Sequence, residues 1–161
     1  MVRWIISDTH FGHEKALSFE QCRGQLFRTI EEHDEFLIAR WNERVDKRDT
    51  VYHLGDVAMR PATTLDRVMP RLKGKKKLIL GNHDTAKIEL YLKYFTKIHS
   101  TFKMGNMVLS HVPLHPAIFD KDGVKFNLHG HLHSGKIADD RYINCCVEHT
   151  GLCPVKIEEL V

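Results

Sequence analysis

Short clusters of aspartate, asparagine and histidine occur along the chain between residue 8 and residue 133. They are Asp8-Thr9-His10, Gly55-Asp56, Gly81-Asn82-His83-Asp84, His111 and Gly130-His131-Leu132-His133. Their oxygen and imidazole donors suit manganese, iron, zinc or magnesium better than metals that prefer thiolates. Two such ions held side by side activate water for attack on a phosphate ester. The clusters together therefore predict metal-dependent hydrolysis of phosphate esters.

Residue spacing supports a shared site, although each cluster alone is weak evidence. Asp8 and His10 are two residues apart, and so are His131 and His133, so an extended backbone would point each pair the same way. A turn aspartate beside a surface histidine is an equally good interpretation of the first pair alone, and Gly-Asp is a common turn dipeptide. The prediction depends on finding all the clusters in one chain, with Gly130 leaving room for an ion.

Apolar, strand-like runs precede all but one of these clusters, so strand ends are expected to carry the site to one edge of a sheet. We predict strands at residues 2–6, Thr50–Leu54, Lys76–Leu80, Lys97–Lys103, Met107–Ser110, Val124–Leu128, Tyr142–Val147 and Pro154–Leu160. We predict helices over residues 31–46 and 62–69, and a third from a Thr85 cap to about Tyr94.

The order of these elements indicates the fold class. Strands alternate with helices in the first half, which favours parallel pairing there. The hairpin signal at Gly105-Asn106 favours antiparallel pairing in the second half. We predict an α/β fold, a mixed β-sandwich of two sheets flanked by helices, formed by a single domain over residues 1–161.

Composition limits the functional class further. The net charge of +3 does not require a nucleic-acid partner. No apolar run is long enough for a membrane span or a signal peptide, so a cytoplasmic protein without a membrane partner is expected. The four cysteines show no CxxC spacing and are expected to be reduced and buried, with a redox or zinc role as the alternative.

The order Asp-x-His, Gly-Asp, Gly-Asn-His-Asp, His and Gly-His-x-His resembles the calcineurin-like metallophosphoesterase superfamily over almost the whole chain. The resemblance is closest to the small single-domain phosphoesterases of bacteria and their phages. It also includes Ser7–His13, Trp41-Asn42, Val51–Val57, Ser110–Leu114 and Pro154-Val155. It implies the metallo-dependent phosphatase fold and two divalent metal ions, manganese first, with iron, zinc, nickel or magnesium as alternatives.

The resemblance also implies a role for each site residue. Asp8, His10 and His133 would hold the first metal, and Asn82, His111 and His131 the second, with Asp56 bridging the two. His83 would face the substrate and protonate the leaving oxygen or stabilise the transition state, with Asp84 orienting it. The implied mechanism is attack on the phosphate ester by a hydroxide that bridges the metals.

Small phosphodiesters, including nucleotides and cyclic nucleotides, are the favoured substrates. A monoester carries about one more negative charge and usually recruits an arginine or lysine clamp, which the sequence does not identify. A phosphomonoesterase, a nuclease acting on DNA or RNA ends, and a non-catalytic scaffold on the same fold are the alternatives. The oligomeric state stays open.

Several other basic side chains lie near the motifs in sequence. His13, Arg23, Arg60 and His115 are candidates to touch the substrate phosphate, although supporting or exposed positions are equally good interpretations. His53 is expected to be structural. The run Lys73–Lys77 is interpreted as a solvated turn leading into a strand, because no aromatic residues accompany it.

Overall fold

The computed structural model describes residues 1–120 and 123–161, and its strands form two sheets. In chain order the strands are β1 (Arg3–Ile6), β2 (Thr50–His53), β3 (Lys75–Ile79), β4 (Lys97–His99), β5 (Thr101–Met104), β6 (Met107–Ser110), β7 (Phe126–His129), β8 (Tyr142–Asn144) and β9 (Val155–Lys156). The five-stranded sheet has the order β4-β3-β2-β1-β9, and the four-stranded sheet has the order β5-β6-β7-β8. The predicted mixed two-sheet α/β fold is confirmed.

The helices are short except for one. They are α1 (Ala16–Phe19), α2 (Gln21–Leu26), α3 (Ile30–Arg44), α4 (Pro61–Val68) and α5 (Ile88–Leu92). The Thr29 side chain caps α3 by accepting the Glu32 N–H, as expected for a threonine at this position. Within the described residues, no helix is both long and apolar enough to cross a lipid bilayer.

Two apolar clusters pack on opposite faces of the five-stranded sheet. Trp4 and Ile6 of β1 share one cluster with Trp41 of α3, so helices cover this face. Ile5, the residue between them, belongs to the other cluster together with Leu109 of β6. Because successive side chains of a strand point to opposite faces, β1 contributes to both cores. The second cluster lies between the two sheets.

Strand pairing in the second half differs from the prediction. The β5–β6 hairpin is antiparallel, but β6, β7 and β8 pair in parallel. The intervening segments, residues 111–125 and 130–141, are long enough to return the chain to the start of the next strand, as parallel pairing requires. The predicted strand Lys97–Lys103 is in fact β4 and β5, which lie in different sheets on either side of Ser100.

Two predicted element ends were also wrong. Thr85 does not cap a helix, because its N–H bonds the His83 carbonyl within a loop, and α5 begins only at Ile88. The closing strand is limited to β9 and is followed by a 3-10 turn at Ile157–Glu159. The run of lysines enters β3, where the Lys76 ammonium is buried and bonds backbone carbonyls.

Candidate metal centre

The predicted ligands follow the ends of parallel strands and meet at one edge of the molecule. Strands β1, β2 and β3 are parallel, so the loops that follow them leave the same edge of the sheet. The first two loops run side by side, with the Asp8 N–H donating to the Gly55 carbonyl at 3.0 Å and the His10 N–H to the Asp56 carbonyl at 3.1 Å. The loops after β6 and β7 supply the remaining histidines.

Asp8, His10 and His133 form the first group of converging side chains. The Nε2 atoms of His10 and His133 each lie 3.7 Å from Asp8 Oδ1. His10 Nε2 is also 3.7 Å from Asp56 Oδ2. Atoms that share one ion at about 2.1 Å are separated from each other by roughly 3 to 4 Å, so these spacings fit a common cation.

Asn82, His111 and His131 form the second group. Asn82 Oδ1 lies 2.8 Å from His111 Nε2 and 3.0 Å from His131 Nδ1. His111 Nε2 is 3.5 Å from Asp56 Oδ2, so this aspartate oxygen lies between the two groups. The His111 Nδ1–H donates to the Leu54 carbonyl at 2.7 Å, which leaves Nε2 as the free lone pair. All seven predicted ligands are thereby brought together.

Two buried atoms of the first group lack a partner, and they test whether a metal fits. Asp8 Oδ1 and His10 Nε2 are buried without a hydrogen bond in the described part of the chain. An unpaired buried polar group costs about 1–3 kcal/mol, which a cation at this point would offset. By contrast, Asp8 Oδ2 accepts from Ser7 Oγ at 2.5 Å, Cys146 Sγ at 3.2 Å and the His131 N–H at 2.9 Å. The oxygen and imidazole donor set fits a hard divalent ion.

Both aspartates are ionised at neutral pH. Burial alone would raise the pKa of Asp8, but contacts from His10, His111 and Ser7 outweigh it and hold that pKa well below its usual range. Burial likewise opposes ionisation of Asp56, and His111 reverses the effect, so the Asp56 pKa is also lowered. The site therefore offers two carboxylates to a cation without first losing a proton.

The backbone at the site is strained at many of the predicted ligands. Among the described residues, the non-glycine residues with positive φ are Asp8, His10, Asp56, Arg60, His131, His133 and Leu152. Five of these are predicted ligands, and side chains adopt this conformation rarely because Cβ crowds the backbone. The prediction that Asp8–His10 and His131–His133 are extended was wrong. Left-handed turns instead bring Asp8 and His10 into the same group, and place His131 and His133 in different groups.

Glycines allow the ligand loops to approach each other closely. A β-carbon on Gly81 would lie 2.2 Å from Asp56 Oδ1, and one on Gly130 would lie 2.3 Å from Asp8 Oδ2. Gly130 was predicted to leave room for an ion. It leaves room for the Asp8 carboxylate, which would otherwise be pushed from its position.

His83 and Asp84 have different surroundings. The His83 side chain is 52% exposed, and its Nε2 lies 4.0 Å from Asp56 Oδ2, so its ring borders the metal groups and solvent. The Asp84 carboxylate is buried and accepts the backbone N–H groups of Asp56, Val57 and Gly81 at 2.8–3.0 Å. Asp84 thus joins the loops after β2 and β3. The prediction that it orients the His83 ring stays untested.

The candidate phosphate-binding residues are separated by the structure. His13 Nδ1 lies 3.4 Å from His10 Nδ1, and burial together with His10 lowers its pKa to about 4. His13, Lys15 and Arg60 line a cavity of about 270 Å³ beside the first group. His115 is exposed in a different surface hollow with Leu114.

Arg23 and His53 are internal. Arg23 is fully buried and donates to the Asp8 carbonyl at 2.6 Å, so its guanidinium faces the protein and not the substrate. His53 is buried beside Thr9 Oγ1 at 2.9 Å, and burial lowers its pKa to about 3, so it is neutral. The structural role predicted for His53 is confirmed by these contacts.

Four residues that were not among the predicted ligands complete the surroundings of the site. Ser7 and Cys146 bond Asp8, and Glu148 lies 3.4 Å from His133 Nδ1. The half-exposed Phe19 ring lies 5.6 Å from the His133 ring and 5.4 Å from the His13 ring, measured between centroids. Of these, Ser7 belongs to the Ser7–His13 stretch that carries the family resemblance. Cys146 and Glu148 lie far away in sequence, so local spacing gave no signal for them.

Comparisons with known proteins identify relatives of this chain. The profile of the calcineurin-like phosphoesterases matches residues 1–145. The gene 66 protein of Mycobacterium phage L5 is 27% identical over 181 aligned residues, which cover 92% of this chain and 85% of that protein. An uncharacterized protein of Methanocaldococcus jannaschii is 31% identical, over 88% of this chain and 74% of that protein.

One solved structure has the same fold over nearly its whole length. It is a protein of unknown function from Aquifex aeolicus, with a TM-score of 0.79 and 25% sequence identity. The match covers 99% of this chain and 97% of that one. The two-sheet arrangement that brings the ligand loops together is therefore shared with a protein of similar length.

Proposed function

The chain belongs to the calcineurin-like phosphoesterase family, and we propose that it hydrolyses phosphodiesters at two divalent metal ions, manganese being the proposed metal. A metal-dependent phosphoesterase is the activity of its family and fits its cluster of aspartate and histidine side chains. The number of ions, their identity and the diester preference are the parts that we propose.

The observation that carries the proposal is the pair of unpartnered buried atoms, Asp8 Oδ1 and His10 Nε2. Both lie within 4 Å of further ligand atoms from His133 or Asp56. The second group has its own oxygen donor, Asn82, between two imidazoles. Asp56 Oδ2 is close to both groups, which supports two ions sharing one carboxylate.

The side chains divide the chemistry among them. When bound, divalent ions lower the pKa of water toward about 7 and offset negative charge on phosphoryl oxygens. Asp8 and Asp56 would hold the ions with carboxylates whose pKa values are lowered, so that both are ionised at neutral pH. His83, which is 52% exposed with Nε2 4.0 Å from Asp56 Oδ2, would donate a proton to the leaving oxygen.

The contacts of Arg23 support a diester, while Arg60 and Lys15 line the cavity beside the first group. A monoester is usually held by a bidentate arginine clamp. Arg23, the buried arginine nearest to the ligand loops, uses its donors on the Asp8 and Thr9 carbonyls and on Glu148. It has no donor turned toward a substrate. A diester, with about one negative charge fewer, does not need such a clamp.

The position of Phe19 indicates that one ester group of this diester is flat and aromatic. Its ring is 50% exposed and lies within 6.3 Å of the His10, His13 and His133 rings, between centroids. An exposed aromatic ring beside a phosphate site can stack on a nucleobase, and this stacking contributes about 1–3 kcal/mol of binding free energy per base. The proposed substrates are therefore nucleotide-like or cyclic-nucleotide diesters.

The test uses metal-free protein with bis-p-nitrophenyl phosphate and p-nitrophenyl phosphate, with and without added Mn²⁺. We expect Mn-dependent hydrolysis, faster for the diester. His83→Ala should lower kcat by about 10²–10⁴-fold, the usual contribution of a positioned proton donor, while bound manganese stays unchanged. Faster hydrolysis of the monoester would overturn the diester assignment. Binding of manganese without hydrolysis of either compound would favour a scaffold.

A nuclease acting on nucleic-acid ends is the alternative that needs its own assay. Cleavage of labelled oligonucleotides at rising salt concentrations distinguishes it, because a protein that tracks phosphates weakens steeply with salt. We expect slow cleavage with little salt dependence, in keeping with the small net charge of +3.

A further inference from the structure

A buried ion pair contacts the first group, which is formed by Asp8, His10 and His133. The side chains of Arg23 and Glu148 are 0% and 3% exposed, and Arg23 Nη2 lies 2.5 Å from Glu148 Oε1. Arg23 Nε also donates to this oxygen at 2.7 Å. The two residues come from α2 and from the segment after β8, which no metal-site motif includes.

The pair contacts both parts of the first metal group. On one side, Arg23 donates to the carbonyls of Asp8 at 2.6 Å and Thr9 at 3.2 Å, in the loop that carries two predicted ligands. On the other side, Glu148 Oε1 lies 3.4 Å from Nδ1 of His133. The ion pair therefore links the loop after β1 to the loop after β7.

Stability alone does not account for this pair. Removing two charges from water costs more than their attraction usually returns, so buried ion pairs are often no better than apolar packing. Glu148 Oε2 lacks a hydrogen-bond partner among the residues that the structure describes. The carbonyl that Arg23 contacts most closely belongs to Asp8, which has a strained φ of 56°. The pair holds a strained ligand loop in place.

We propose that Glu148, held by Arg23, is a positioning residue for the first metal. It accepts the Nδ1–H of His133 and so leaves the lone pair on His133 Nε2, which lies 3.7 Å from Asp8 Oδ1, available to a cation that both atoms would share. Metal-binding histidines commonly donate their second ring N–H to a carboxylate in this way, which fixes both tautomer and ring orientation. The inference rests on the proposed function, because it assigns a task at the same metal site.

Glu20 offers a comparison at the same nitrogen. Its Oε1 lies 3.5 Å from His133 Nδ1. Among the described residues the Arg23 side chain makes no hydrogen bond or ion pair with the Glu20 carboxylate, whereas it makes both with Glu148. Geometry therefore favours Glu148 as the acceptor. Glu20→Gln should affect the site less than Glu148→Gln.

The experiment measures Mn²⁺ binding to metal-free protein by calorimetric titration. Glu148→Gln should weaken one of two binding events by about 10–100-fold, the usual cost of removing such a partner, and leave the other within threefold. Asp49→Asn is the matched control, because Asp49 is a buried carboxylate that bonds Trp4 and the Val2 N–H at the opposite end of β1. It should leave both binding events unchanged.

A second measurement does not require a folded Glu148 variant. Nitrogen NMR of ¹⁵N-histidine-labelled, metal-free protein, with His133 assigned by comparison with His133→Gln, should show His133 protonated at Nδ1. If Glu148→Gln does not fold, Glu148→Asp keeps the charge facing Arg23 while withdrawing from His133, and it should show the same selective loss of one ion.

The outcomes separate this inference from the proposed function. Failure of the wild-type protein to bind Mn²⁺ would overturn the proposed function itself. Two ions bound by wild type with unchanged affinity in a folded Glu148 variant, a larger effect of Glu20→Gln, or His133 protonated at Nε2 alone would overturn the positioning role and leave the proposed function standing.

Discussion

Replacing Gly130 with alanine tests how closely the loop after β7 approaches Asp8. A β-carbon at this position would lie 2.0 Å from Ser7 Oγ and 2.3 Å from Asp8 Oδ2. The φ of Gly130 is outside the left-handed region, so the alanine itself fits the backbone and the effect is steric. The new methyl group must therefore displace the Ser7 hydroxyl and the Asp8 carboxylate, or push the loop away from both.

The size of the displacement follows from the contact distances. Ordinary van der Waals contact begins near 3.4 Å, so a methyl group at 2.3 Å requires a movement of about 1.1 Å. Metal–ligand distances tolerate only about 0.2 Å. A misplacement of about 1 Å in a catalytic site costs on the order of 100-fold in rate. Overpacking of this kind should also lower the free energy of unfolding by about 1–3 kcal/mol.

The assay is kcat/KM for bis-p-nitrophenyl phosphate with Mn²⁺, together with Mn²⁺ titration and the thermal unfolding midpoint. We expect Gly130→Ala to lose about 100-fold in kcat/KM and to bind the first ion weakly. Gly105→Ala is the control. Gly105 has a positive φ of +59°, but a β-carbon added there would meet no other described atom within 4 Å. It should cost about 1 kcal/mol of stability through backbone strain and leave activity unchanged.

The reasoning is refuted if Gly130→Ala binds two ions as wild type does and keeps its rate within threefold. That result would mean that the loop after β7 moves away freely, so Asp8 would not depend on the close approach. A loss of equal size in Gly105→Ala would also refute it, since that variant changes nothing near the site.

Three further substitutions probe separate parts of the site. Asp56→Asn removes the charge that lies between both groups, so bound manganese, measured by mass spectrometry after dialysis, should fall at both positions; retention of two ions would exclude the bridging role. Asp84→Asn places an amide NH₂ against a backbone N–H donor, and the midpoint of chemical denaturation should report a loss of about 1–3 kcal/mol. Phe19→Leu should raise KM about 5- to 100-fold for thymidine 5′-p-nitrophenyl phosphate and leave methyl p-nitrophenyl phosphate unchanged, because only the first has a base to stack. Equal effects on both esters would show that Phe19 serves the histidines or the leaving group instead.

The chemistry of the site could be predicted from the sequence because it depends on residue type. Asp8, Asp56 and Asn82 could be recognised as possible oxygen ligands because each follows an apolar run. Glycines directly precede Asp56 and Asn82, which indicates turns at these two positions. Strand β1 and helix α3 were predicted within two residues because their apolar patterns are local. The alternation of strands and helices also predicted that β1, β2 and β3 are parallel. The loops that follow these strands therefore leave the same edge of the sheet.

Features that depend on distant segments could not be predicted in this way. The Arg23–Glu148 pair joins residues 125 positions apart, and the contact of Cys146 with Asp8 joins residues 138 apart. Parallel pairing of β6, β7 and β8 depends on where the long connecting loops place the next strand. The turn residues Gly105-Asn106 predict only the hairpin of β5 and β6.

Sequence alone thus determined which side chains could serve as metal donors, because side-chain chemistry does not depend on the fold. Tertiary structure decided the backbone conformation that presents these donors. Asp8, Asp56 and His133 adopt left-handed φ values that an isolated chain avoids, and they do so only because neighbouring loops bond and crowd them from several sides. Contacts between distant segments stabilise this strained backbone. The sequence pattern within one segment does not predict such contacts.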